Sequence, residues 1–230
     1  MEIKPIAHMH SEFPDKFGIP RQSGLVEELK GRIVFEKEYA IPEAFRGLEG
    51  YSHIWIVWEF SEAVRKNWSP TVRPPRLGGN TRLGVFSTRS PFRPNPLGLS
   101  CVKLDRIEYS KTEGPVLLVS GADLMDQTPI YDIKPYLTLS DCRPGAVCGF
   151  AEQTAAYHLD VEFPPEYAVC FTDEQYKALC GVLAEDPRPS YQHDPDRVYA
   201  MSFAGYDVCF TVKDHTLTVC GVRKLPEQTT

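Results

Sequence analysis

The sequence predicts a mainly β fold, a barrel or sandwich of short strands, with a small α+β domain behind it. Three observations carry this. Runs of β-branched and aromatic residues recur through the first half, each bounded by Gly, Pro, Ser or Asp. Strong helical patterning appears only after residue 150. Neither Gly-x-Gly-x-x-Gly nor Gly-x-x-x-x-Gly-Lys-Ser/Thr occurs, so a doubly wound nucleotide-binding fold is unsupported. With 230 residues, 42% hydrophobic and 24% charged, the chain reads as an ordinary globular protein able to bury one large core or two smaller ones.

Gly31–Glu36, Ser52–Phe60, Arg82–Ser87, Leu99–Leu104 and Pro115–Ser120 read as strands. Pro42–Leu48 reads as one or two helical turns, with Pro at the first position and Gly near the end. In Tyr131-Asp132-Ile133-Lys134 the alternation fits a strand with one polar face, which makes Asp132 and Lys134 neighbours. The small, polar segment Ala151–Ala156 marks a change of domain, giving residues 1–148 and 149–230 as the two units. Behind it, Asp173–Ala184 reads as a helix capped by Thr172 or Asp173, with Tyr176, Leu179, Cys180 and Leu183 on one face. The Pro-rich turn Asp186–Pro189 leads to two strand-like runs, Tyr199–Thr211 and Thr216–Val222, joined by a hairpin turn at Lys213–His215.

The opening residues contain no apolar targeting segment, and the longest apolar run, Ile54–Trp58, is too short to span a bilayer, so a cytoplasmic protein is expected. Seven cysteines without a Cys-x-x-Cys read as buried free thiols in a reducing compartment. His8 and His10 could each ligate a metal, but no further Cys or His stands nearby at ligand spacing, so none is expected.

Charge is unevenly placed. From Ala63 to Leu104 there is no Asp or Glu, while Arg65, Lys66, Arg73, Arg76, Arg82, Arg89, Arg93 and Lys103 are positive. The whole chain is formally −6, so the remainder stands at −14, and this band reads as a site for anions. Within it, Ser87–Ser100 contains three prolines, which makes a stiff, extended surface loop that presents Arg89 and Arg93. In Pro70–Asn80 a Pro-Pro pair imposes an extended path, on which Arg73 and Arg76 point the same way at three-residue spacing and suit phosphates; a solvated linker is the competing reading. Two further loops stand out: Phe17–Gly24, where Arg21 and Gln22 can donate hydrogen bonds, and the acidic turn Asp123–Tyr136. The latter reads structurally as an exposed charge pair and functionally as a proton acceptor complementing the basic loop.

These motifs, together with Arg46-Gly47-Leu48-Glu49, Ser52-His53-Ile54-Trp55, Pro74–Asn80, Asp132-Ile133-Lys134-Pro135-Tyr136, Asp186–Tyr191 and Phe203–Val208, closely resemble the tRNA adenine-37 N6-methyltransferase family over nearly the full length. The resemblance implies a single-sheet β-barrel N-terminal domain with a small α+β C-terminal domain, a homodimer, and S-adenosylmethionine as methyl donor. It also implies methylation of N6 of threonylcarbamoyladenosine at position 37, in the anticodon loop of threonine tRNA. By matched position it places Pro20, Arg21, Gln22, Ser61, Glu62, Arg89, Leu99, Asp126, Gln127, Thr128 and Pro129 around the cofactor. Two departures stand out: the family usually has Gly at Gln127 and often Pro at Thr138.

The carbamoyl group delocalises the N6 lone pair, so the reaction needs loss of the N6 proton or tight positioning. Asp132 is the first candidate base and Asp126 the second. Arg73, Arg76, Arg93, Lys134 and Tyr136 are the candidate tRNA contacts, and Phe92, Tyr131 and Tyr136 are candidates for base stacking or for packing. The alternatives are a barrel of the same fold acting on another substrate and a non-catalytic sensor of S-adenosylmethionine.

Overall fold

The computed structural model describes residues 2–77, 80–154, 157–189, 192 and 194–226; the side chains of Arg76, Gln153 and Thr154 lie outside the described set. The first part of the chain runs β1 (Ala7–Ser11), β2 (Lys30–Phe35), β3 (His53–Glu59), β4 (Thr71–Val72), β5 (Leu83–Gly84), β6 (Leu97–Ser110), β7 (Gly114–Ser120) and β8 (Pro129–Pro135). Six of these strands close into one barrel in the order β1-β2-β7-β6-β3-β8, with β8 pairing back onto β1. β4 and β5 form a separate two-stranded ribbon within the long β3–β6 connection.

The barrel follows from alternation. On β3, Ile54, Ile56 and Trp58 are buried inside while Trp55, Val57 and Glu59 face out; on β6, Gly98, Ser100, Val102 and Leu104 face in. Trp58 lies directly opposite Gly98. Its indole occupies the place of the missing side chain, since a Cβ on Gly98 would meet Trp58 Cε2 at 2.3 Å. With Ala7, Met9, Ile33, Val102, Leu117, Val119 and Ile130, these side chains fill the barrel.

After the short helix α1 (Thr138–Asp141) the chain forms β9 (Asp160–Glu162), α2 (Pro165–Ala168), α3 (Asp173–Ala184), β10 (Tyr199–Phe203), β11 (Tyr206–Lys213) and β12 (Thr216–Lys224). The sheet order is β10-β11-β12-β9, and β9 runs parallel to β12. Thr172 is the N-cap of α3 and forms a reciprocal capping box with Gln175. The helix buries Ala178, Leu179, Val182 and Leu183 against Met201, Phe203, Phe210 and Leu217. Three residues of the β1–β2 connection, Phe13, Val26 and Leu29, are buried in this second core. That connection is therefore clamped between barrel and C-terminal sheet.

Several elements differ from expectation. Arg82–Ser87 is strand only at Leu83–Gly84 and then turns 3-10 over Val85–Ser87. Tyr199–Thr211 is not one strand, because Ala204 and Gly205 both take positive φ and make a hairpin turn. β6 continues to Ser110, well past Leu104. None of the seven free cysteines is buried: Cys142, Cys148 and Cys220 are exposed and the others partly so. Among the described residues no cluster could hold a metal ion, and no helix is long and apolar enough to cross a membrane.

Replacing Gly98 by Ala forces Trp58 out of its place. The substitution is expected to destabilise the protein by about 2 kcal/mol, read as a lowered urea midpoint.

Candidate functional site

One end of the barrel carries three connections: β1–β2, β3–β6 and β7–β8. Pro20, Arg21 and Gln22 come from the first, Ser61, Glu62 and Arg89 from the second, and Asp126, Gln127 and Thr128 from the third, with Leu99 and Pro129 at the adjoining starts of β6 and β8. Barrel closure thus gathers residues that lie more than a hundred positions apart. Backbone bonds lock the loops together: Gly24 N–H donates to the Gly121 carbonyl at 2.9 Å, Asp126 N–H to Phe13 at 2.8 Å, Gln127 N–H to Met9 at 2.7 Å, and Phe60 N–H to Pro96 at 2.8 Å.

Arg89 donates a guanidinium hydrogen bond to Gln22 Oε1, and Gln22 Nε2 donates to the Arg21 carbonyl. Arg21 in turn donates to the backbone carbonyl of Asp186 at 3.3 Å, so the first loop reaches the C-terminal domain. There the Asp186 carboxylate holds Arg188 through two bonds of 2.9 and 3.0 Å and accepts the Tyr157 hydroxyl at 3.1 Å. Burial alone would raise the Asp186 pKa, but the bonds and charge of Arg188, with the Tyr157 hydroxyl, outweigh it and hold the carboxyl below its ordinary value.

The two candidate bases have different settings. Asp126 accepts the Ser11 amide at 3.1 Å and Gln127 Nε2 at 3.2 Å, with His10 Nδ1 at 3.6 Å, which makes it a clasp between β1 and the third loop. Asp132 faces outward with Lys134 Nζ 2.7 Å away, the neighbour relation its spacing predicts. Val57 pairs with both Leu99 and Asp132, so these three form one row across the outer face of β6, β3 and β8. At the usual strand spacing, Leu99 and Asp132 are about 10 Å apart. Leu99 is 55% exposed.

The other candidates are dispersed. Arg73 is exposed, and the Arg76 side chain lies outside the described residues. Arg93 folds back on its own loop, donating to the Thr88 and Ser90 carbonyls at 3.1 and 3.4 Å. Phe92 is covered on one face by Arg65, whose guanidinium carbon is 3.7 Å from the ring centroid. Tyr136 packs beside Trp55 and His53. The Tyr131 hydroxyl donates to Glu59 Oε2 at 2.7 Å; desolvation, reinforced by that carboxylate, pushes its pKa up to about 12. Glu62 lies 4.0 Å from Lys16, and Ser61 is exposed. Pro20 and Thr128 are buried, the latter with its hydroxyl bonded to the Met125 carbonyl at 2.7 Å.

Sequence reasoning missed a buried chain behind the site. Trp58 Nε1 donates to Ser100 Oγ at 2.9 Å, and Ser100 Oγ donates to Asp123 Oδ1 at 2.6 Å. Burial pushes the Asp123 carboxyl up, against the opposing pull of Ser100, Arg89 and the Ser23 backbone. The available signal was Ser100 itself, a polar residue at an inward position of an otherwise apolar strand face.

The family model of the tRNA-methyltransferase O N-terminal domain matches residues 8–142, and that of the TrmO C-terminal domain matches residues 156–225. The chain belongs to the TrmO family of methyltransferases. The tRNA (adenine(37)-N6)-methyltransferase of Escherichia coli is 38% identical over 93% of this chain and 94% of its own. A Pseudomonas aeruginosa relative, 36% identical over 90% of each chain, carries a name that proposes S-adenosylmethionine-dependent methyl transfer. The crystal structure of TrmO from Pseudomonas aeruginosa superposes with a TM-score of 0.78 at 31% identity, covering 97% of each chain.

Against this TrmO background the Gln127 departure has a structural answer. Gln127 sits at φ +62°, the region glycine favours, so the turn is kept at the cost of strain. Gln127→Gly is expected to gain about 0.5–1 kcal/mol, and Gln127→Val to lose more than 1 kcal/mol, in thermal unfolding. Asp186→Asn tests the buried pair. The folded-state pKa of Asp186 lies below its ordinary value of 3.8, so the pair stabilises above that range and fails as pH drops through the folded value. The variant should lose about 3 kcal/mol at pH 7, and its deficit should shrink towards zero in acid.

Proposed function

We propose that the protein is an S-adenosylmethionine-dependent methyltransferase acting on N6 of threonylcarbamoyladenosine at position 37, in the anticodon loop of threonine tRNA, as a cytoplasmic homodimer. The gathering of the eleven matched residues at one barrel end carries the reading. Their chemistry fits the cofactor. An exposed guanidinium at Arg89 suits a carboxylate, the acids Glu62 and Asp126 suit an ammonium and a sulfonium, and Leu99 and Pro129 suit an adenine face.

When bound, S-adenosylmethionine supplies a methyl group on a positively charged sulfur. The chain's own residues must orient the target nitrogen and take its proton. Asp126 clasps β1 to the third loop through the Ser11 amide and Gln127, whereas Asp132 stands on the outer face in one row with Val57 and the cofactor candidate Leu99. Asp132 is therefore the better-placed proton acceptor, and Lys134, 2.7 Å away, fixes the position of its carboxylate. Arg73 and the rest of the acid-free band supply phosphate contacts. Exposed Leu97, with Leu137 and Leu139 at α1, leaves apolar surface that a second copy would cover. The glycine-like φ of Gln127 keeps the candidate cofactor turn in the shape that glycine would give it.

The deciding experiment offers labelled S-adenosylmethionine with tRNA from cells that have or lack the threonylcarbamoyl modification. Label is expected in threonine tRNA only when the modification is present; label in unmodified tRNA, or binding without transfer, overturns the assignment. Asp132→Asn should lower kcat by about 10²-fold or more with cofactor affinity unchanged. Arg73→Ala should weaken tRNA binding and reduce its log–log salt slope by about one.

A further inference from the structure

The long β3–β6 connection carries a feature that the assignment leaves unused. The β4–β5 ribbon pairs Thr71 with Gly84 and Val72 with Leu83, and Val85 N–H donates to the Pro70 carbonyl at 2.9 Å. This register brings Trp68, just before β4, beside Phe86, just after β5. Their ring centroids are 6.3 Å apart with planes inclined by 32°. Trp68 is 52% exposed and Phe86 74%. Leaving two large rings together in water is costly, so such a pair marks a surface that meets a partner.

The surroundings specify the partner. Arg65, Lys66, Arg73 and Arg82 are all exposed, and no acid occurs from residue 63 to 104. An interface made for another protein depletes charge around its apolar centre, whereas here the rings belong to a stretch of chain whose charges are all positive. Aromatic faces combined with exposed arginines on the same connection match an unpaired nucleic-acid strand, whose bases offer π faces that a duplex conceals. The ribbon is fixed rather than loose, since Arg82 Nη1 also donates to Thr71 Oγ1 at 2.9 Å. The chain leads straight from the rings to the cofactor residues: three steps after Phe86 comes Arg89, a path of at most about 10 Å.

We infer that Trp68 and Phe86 form a stacking platform for unpaired nucleotides flanking the methylated base, with Arg65, Arg73 and Arg82 holding their phosphates. The platform rests on the proposed tRNA reading and adds to it the element that grips the loop. It also differs from the residues singled out by sequence, because Phe92 is capped by Arg65 and Tyr131 is bonded to Glu59.

The test measures binding of an anticodon stem-loop RNA and methyl transfer to whole tRNA in parallel, on the full chain. Trp68→Ala and Phe86→Ala should each weaken RNA binding about tenfold while leaving S-adenosylmethionine affinity unchanged, and Trp68→Phe and Phe86→Tyr should restore most of it. RNA should also quench an exposed tryptophan emission that Trp68→Phe lacks, since Trp58 is buried and Trp55, half-buried with its indole bonded to Asp141, remains in both proteins. If the wild type binds RNA and both alanine variants bind equally well, the platform is overturned while the methyltransferase reading stands. If the variants bind more weakly but the wild type transfers no methyl, the platform stands and that reading falls. Wild-type protein that binds no RNA overturns both. Alanine variants that become monomeric by sedimentation, with RNA affinity per chain unchanged, would make the surface an interface between copies and overturn the platform.

Discussion

The candidate site depends on one buried hydrogen-bond chain, Trp58 to Ser100 to Asp123. Its links join β3, β6 and the β7–β8 loop, and the Ser23 backbone at its end adds the β1–β2 loop. Each hydroxyl or indole proton is passed to a stronger acceptor, ending on a carboxylate, and partial desolvation strengthens every step. The arrangement is possible only because Gly98 leaves room for the indole. All three loops that supply cofactor candidates leave the barrel around this point, so their mutual geometry is inherited from it. Loss of any one member would strand a polar group in a largely apolar rim.

Around this fixed point the molecule separates tasks by stiffness and charge. The segment Pro20–Gln22 of the β1–β2 loop is held twice, by the Arg89–Gln22 bond on one side and by Arg21 on the Asp186 carbonyl on the other. Because Phe13, Val26 and Leu29 are buried in the C-terminal core, that domain is a structural support of the β1–β2 loop and not an independent appendage. The Asp186–Arg188 pair makes the support rigid, since Asp186 is held at φ +52° by contacts on both sides of its turn. Prolines serve the same end in Ser87–Ser100, where Arg93 folds back onto Thr88 and Ser90 and stiffens the loop from within.

What could be read from sequence was what repeats locally. The strand through Ile54, Ile56 and Trp58, the helix cap at Thr172 and the shared face of Asp132 and Lys134 all depend on residue types and spacings within a few positions. β1 was illegible because His8 and His10 face outward and only Ala7 and Met9 enter the core. The turn at Ala204-Gly205 lacked the Asn or Asp that usually announces a positive-φ hairpin. The site itself was named by resemblance, but no local pattern could place Gln22 beside Arg89 or Ser11 on Asp126; that follows from the register of a closed barrel. Asp123 was passed over as one carboxylate among three, because its burial is imposed by Ser100 and Trp58 from elsewhere in the chain.

The acidity of the rest of the molecule completes the argument for the basic arm. A chain whose remainder stands at −14 repels a polyanion from most of its surface. The Debye length at physiological salt is about 8 Å, so an incoming strand feels the field only close to the protein, where the Ala63–Leu104 band is the favourable approach. Repulsion elsewhere thus orients the RNA as effectively as attraction at the arm. It also keeps nonspecific binding weak, because counterion release scales with the phosphates contacted and few can be contacted outside the band. On the proposed reading, discrimination then comes from the ring faces of Trp68 and Phe86, which require unpaired bases.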